Sequence, residues 1–167
     1  MTIVVENGTG LADAVSYASA ADADTYWLSE ADETWSGFST AEKEIALVRA
    51  TREIEALYSA RFIGQRNSTA QALSWPRTNA VDRDGLLREG EVPAPVALAT
   101  IELARTTATE DPRTTADVSD VASETIKVGP IELSTDYTDA RVSARKRIEQ
   151  LLASVIVGGM SQRLHRT

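Results

Sequence analysis

Apolar residues recur at three- and four-residue spacing in four stretches of this chain and alternate in one. The pattern predicts a mainly α protein, a small bundle of about four helices with a long ordered loop and a short β-hairpin before the C-terminal helix. The strongest period opens at Ser39, where Ser39 and Glu42 have the spacing of a capping box, each able to satisfy a backbone N–H left over at a helix start. Leu47, Ala50, Thr51, Ile54, Leu57 and Tyr58 then fall on one stripe of a helix that ends near Phe62, ahead of Gly64. Ala41, Ile45 and Val48 make a smaller apolar strip on the opposite side, so Ile45 and Val48 are expected to meet a neighbouring subunit. Ser19 and Asp22 open a shorter helix over residues 20–29, with Ala23, Tyr26 and Trp27 facing the core.

Pro93 and Pro95 flank the start of a third helix over residues 94–108, buried through Val96, Ala99, Thr100 and Leu103. Asp139 precedes a last helix to about Val157, with Ala144, Ile148, Leu151, Leu152 and Val155 inward and Gly158-Gly159 as its stop. Alternation of Ile126, Val128, Ile131 and Leu133 about Gly129-Pro130 predicts a hairpin over residues 121–137. An isolated hairpin is marginal in water, so these four positions are expected to pair with another element or subunit. Residues 65–92 are too long for a plain connection, and Leu73 and Trp75 are the expected anchors that hold them down. Pro76 confines Trp75 to extended backbone. The whole is expected as one domain over residues 1–159, beginning with an extended arm at 1–18, followed by a flexible docking tail at 160–167.

Charge changes this picture most. Residues 1–140 carry 11 basic and 24 acidic side chains, a net −13, whereas residues 141–167 carry 6 and 1, a net +5. An acidic body opposes wrapping of nucleic acid, which rests on Lys and Arg neutralising phosphates. The cations of the last helix, Arg141, Arg145, Lys146 and Arg147, crowd its early turns, where the helix dipole disfavours them. Such a break in a local rule points to a compensating partner, and with Met160, Arg163, Leu164 and Arg166 of the tail these residues form the expected docking surface.

The chemistry of catalysis is missing from the sequence. There is no cysteine, the one histidine is His165 in the tail, and no phosphate-cradling loop, zinc motif or nucleophile elbow occurs. The expectation is no enzyme, no cofactor and no metal. Asp82 and Asp84 before Gly85 fit a turn better than a calcium loop. No apolar run approaches the roughly 18 residues of a membrane span.

A resemblance rests on three places. Val5-Glu6-Asn7-Gly8-Thr9-Gly10-Leu11-Ala12-Asp13-Ala14 through Ser16-Tyr17 and Ala21-Asp22-Ala23-Asp24-Thr25-Tyr26, the helix from Glu42 to Tyr58 with Ala50-Thr51, and Ala72-Leu73-Ser74-Trp75-Pro76-Arg77 resemble phage proteins often labelled DnaT-like, and Val92-Pro93 and Lys127-Val128-Gly129-Pro130-Ile131-Glu132 match as well. The likeness covers most of the chain up to about Tyr137. It implies two functions. One is that of head–tail connectors of tailed phages: a ring of about twelve copies bound to the portal protein, extending the channel through which duplex DNA passes and meeting a tail-side connector or tail terminator. Such a protein belongs to the virion and is made in the host cytoplasm. The other is a single-stranded-DNA-binding replication accessory. The acidic body fits the first, because a single-strand binder needs a positive groove with aromatic platforms.

Overall fold

The computed structural model describes residues 3–109, 124–128, 131–135 and 139–157, with side chains described over 3–109 and 144–157. Among the described residues there are five α-helices: α1 Ala20–Ser29, α2 Glu33–Ser36, α3 Thr40–Tyr58, α4 Ala94–Thr109 and α5 Asp139–Leu152. A 3-10 turn, Ser59–Arg61, ends α3. Four strands among the described residues form two antiparallel pairs: β1 Gln65–Arg66 with β2 Arg77–Thr78, and β3 Glu124–Val128 with β4 Ile131–Thr135. The mainly helical expectation holds, its four helices being α1, α3, α4 and α5, and it is corrected by a fifth, short helix and by a second strand pair, which lies before α4. The short helix α2 and a strand pair before α4 were not legible as periods, because four and two residues are too short to show one.

The predicted capping box at Ser39 forms, and the helix start at Ser19 proves to be one as well. The Ser19 and Ser39 hydroxyls accept the N–H groups of Asp22 and Glu42, and those carboxylates return to the cap N–H groups. The core lies between α3 and α4. Ala46, Leu47, Ala50, Thr51 and Ile54 of α3 meet a face of α4 made of Val96, Ala99, Thr100, Leu103 and Ala104, all buried. Small residues on both sides let the two backbones run close, and Thr107 Oγ1 donates to Ala46 O across the gap at 3.1 Å. α5 packs on α4 through Ile148 and Leu152. It stops at Leu152, earlier than predicted, and residues 153–157 run antiparallel to 61–63, with Ile63 N–H donating to Val155 O and Val157 N–H to Arg61 O.

The stretch expected as an arm lies against the body: Glu6, Ala14, Tyr17 and Ala18 are buried, and Glu6 accepts the N–H groups of Gly8, Gly10 and Leu11. In the long loop Trp75 is fully buried and Leu73 nearly so, edge-on to Phe62 in the case of Trp75. Leu57 departs from its predicted stripe and is 46% exposed. Outside the described residues lie the ends of the predicted hairpin, residues 110–123 and the tail with Met160, Arg163, Leu164 and Arg166.

Candidate functional site

The end of α3 and the outer face of α5 enclose a cleft of about 310 Å³, lined by Leu57, Tyr58, Arg61, Arg145, Lys146 and Glu149. Helical spacing builds it. Arg145, Lys146 and Glu149 are three and four residues apart and so share one face of α5, while Ile148 and Leu152 turn inward. Arg61 is placed by the 3-10 turn, which carries the chain round under α5. Its guanidinium pairs with Glu149 at 3.0 Å and lies over the Tyr58 ring, 5.6 Å from the centroid. Burial, reinforced by the Glu149 carboxylate, raises the Tyr58 hydroxyl above its ordinary pKa of 10.0, so the ring presents a neutral hydroxyl. Arg145 and Lys146 are exposed and make no ion pair with any described residue. The floor is apolar, the rim is cationic, and a single carboxylate is spent on Arg61.

The predicted docking residues divide here. Arg145 and Lys146 enter the cleft. Arg147 does not: it turns to the other side of α5 and donates to Glu102 Oε1 of α4 at 2.6 Å, where the Tyr26 hydroxyl of α1 also donates. The unfavourable placement of that cation has a compensating carboxylate inside the chain. The side chain of Arg141 lies outside the described ones.

The predicted subunit contacts also divide. Ile45 is 49% exposed on the outer face of α3, while Val48 is half-buried. The β3–β4 register sets Ile126 opposite Leu133 and Val128 opposite Ile131, so these four positions share one face, and Lys127 and Glu132 occupy the other. Leu73 and Trp75 are internal staples. Arg77 completes the staple by donating to the carbonyls of Ile63 (2.7 Å) and Gly64 (2.8 Å), its guanidinium 6.0 Å from the Trp75 ring. Trp75 Nε1 has no acceptor among the described residues.

Sequence reading missed two features. The exposed Leu57 looked like a core position because it sits at helical spacing from Ile54 and Tyr58. The second is a rigid turn at residues 81–91. Asp82 N–H donates to Leu86 O at 2.9 Å, and Asp82 Oδ1 accepts the N–H groups of Asp84 (3.0 Å) and Leu86 (2.8 Å). Arg88 Nε donates to Oδ2 at 2.9 Å. The Leu86 N–H, with Arg88 and Asp84, holds the Asp82 carboxyl below the ordinary 3.8. Both Asp82 oxygens are thus committed within the turn. No group of three potential metal ligands occurs among the described residues, and none of their helices is long and apolar enough to cross a membrane.

Fold and cleft define a small, mainly helical protein with a basic cleft on an acidic body. The family described as "Putative DnaT-like ssDNA binding protein" matches residues 1–167, and the chain belongs to it. The match carries the DnaT-like side of the resemblance and says nothing of head–tail connectors. No curated protein and no solved structure matches the chain.

Proposed function

We propose that the chain is a structural assembly protein, without catalytic chemistry, that acts as a head–tail connector: it binds copies of itself and the portal, and duplex DNA passes without being gripped. The observation that carries this reading is where the aromatics lie. Trp27, Trp35 and Trp75 are buried, Tyr17, Tyr58 and Phe62 also, and Tyr26 and Phe38 are half-buried, which leaves no described aromatic free to stack on a base. Acidic side chains outnumber basic ones over the described body, and that charge repels a duplex in a channel. The cleft then serves as a protein-docking surface, and the tail at 160–167 reaches the portal.

The family description favours a second reading, single-stranded-DNA binding, and Arg61, Arg145 and Lys146 are where phosphates would bind. One pair of measurements separates the two. Titration of an oligothymidine at about 0.15 M salt should show only weak binding, and deletion of residues 160–167 should leave the fold intact while abolishing incorporation into heads. Sub-micromolar oligothymidine binding with a salt slope of several phosphates, lost in the Arg145→Glu/Lys146→Glu variant, would establish the second reading instead.

A further inference from the structure

We infer that the turn at residues 81–91 of one copy docks in the basic cleft of a second copy. The turn presents Val81, Leu86 and Leu87 to solvent, each more than half exposed and close together, since Val81 and Leu87 face each other across a bridge. Three neighbouring exposed aliphatics are unusual on a soluble surface and mark contact sites. They are also held rigidly. Besides the bonds to Asp82, Arg88 N–H donates to Ala80 O at 2.8 Å and Arg83 N–H to Ser154 O at 3.2 Å, so the tip is fastened to itself and to the end of the body. A preorganised tip loses little conformational entropy on docking.

Charge selects the occupant. The turn carries Asp82, Asp84, Glu89 and Glu91 against Arg83 and Arg88, a net negative charge, and Asp84 at its tip is exposed. The cleft carries Arg61, Arg145 and Lys146 against Glu149, around the exposed Leu57 and the Tyr58 ring. An acidic apolar knob and a basic apolar cleft are complementary, and the cleft volume suits two or three aliphatic side chains rather than a folded element. Because the turn and the cleft are different surfaces of one chain, copies meet either head to tail, in a closed ring or an open row, or reciprocally in a pair. The inference rests on the cleft being a protein-docking surface, as proposed above, and names its occupant. The expected contact is small and weak in isolation, as its area requires.

The chain has no cysteine, so a cross-link reports one contact cleanly. Mixing Leu87→Cys protein with Leu57→Cys protein under mild oxidation should give a disulfide-linked dimer in several-fold excess over a control that pairs Leu28→Cys, on the exposed side of α1, with Leu57→Cys. The double variant should give a ladder or a closed dimer, either of which supports the contact. Adding Lys146→Glu to the Leu57→Cys partner should lower the yield several-fold, and Asp84→Lys in the Leu87→Cys partner should restore it. Cross-linking no greater than the control overturns the inference. If heads still take up the full-length protein in that case, the connector reading stands without it, whereas cross-linking without uptake into heads would sink the connector reading alone.

Discussion

The Tyr17 hydroxyl stands between three segments far apart in the chain. It donates to Glu55 on α3 and accepts Trp75 N–H at 3.2 Å, while Ser74 Oγ donates to the other Glu55 oxygen at 2.7 Å. Removing the hydroxyl leaves a buried N–H without its acceptor and weakens a polar link between the N-terminal stretch and the Trp75 staple, one that the Ala72 N–H bond to Leu11 O does not replace. Tyr17→Phe should therefore cost about 1–3 kcal/mol in denaturant unfolding. Arg145→Ala, which breaks no bond within the described residues, should change stability by less than about 0.5 kcal/mol. If the two variants unfold alike, the network contributes nothing to stability.

At the scale of elements, two short signals decide where helices and loops meet. The Ser39 hydroxyl closes the capping box of α3, and Ser39→Ala should destabilise by about 1 kcal/mol. Gly64, after the 3-10 turn, has φ +71°, and a Cβ there would lie 2.4 Å from Thr78 O and 2.8 Å from Ala80 Cα. Those are backbone atoms of β2 and of the chain just beyond it, and they cannot turn aside. Gly85 has φ +79° but open space around it. Both substitutions to Ala meet the roughly 1–2 kcal/mol of left-handed strain, and only Gly64→Ala adds a collision, so it should lower the melting temperature far more. Equal melting temperatures would show that the β1–β2 pair shifts freely.

For the whole molecule, paired carboxylates and buried phenols set the pH range of stability. The Ser39 hydroxyl and N–H hold Glu42 below its ordinary 4.5, and the Asp82 carboxyl is held below 3.8 by the Leu86 N–H. Asp32 is likewise low, its partial burial outweighed by the Trp35 N–H and by Arg105. Depressed carboxylates contribute stability that is full above these ordinary values and is lost as pH falls through the folded ones, so unfolding on the acid side should begin below about pH 4.5. Tyr17, Tyr26 and Tyr58 are raised, chiefly by burial and then by nearby carboxylates. Their contribution is full below 10.0 and declines as pH rises past it. Thermal melts across the range should show a plateau with a fall on each side. A Tyr17→Phe protein should lose less of its remaining stability above pH 10 than the wild type does, and an identical alkaline slope would remove Tyr17 from the account.

Helix starts, the inward stripes of α3, α4 and α5, and the burial of Leu73 and Trp75 were legible in the sequence, because capping and amphipathic spacing are local and each residue's role is set by neighbours within one or two turns. The charge division was legible too, since it needs only counting. Which cations are free was not. Arg145, Lys146 and Arg147 are consecutive and chemically alike, yet 100° of helical rotation per residue sends two into a cleft and one against Glu102 of α4, 45 residues away in the sequence. Leu57 and Leu87 show the same limit from the apolar side. Periodicity marks a residue as able to be buried, and only the packing of α5 and the bonds around Asp82 leave these two in water beside opposite charges.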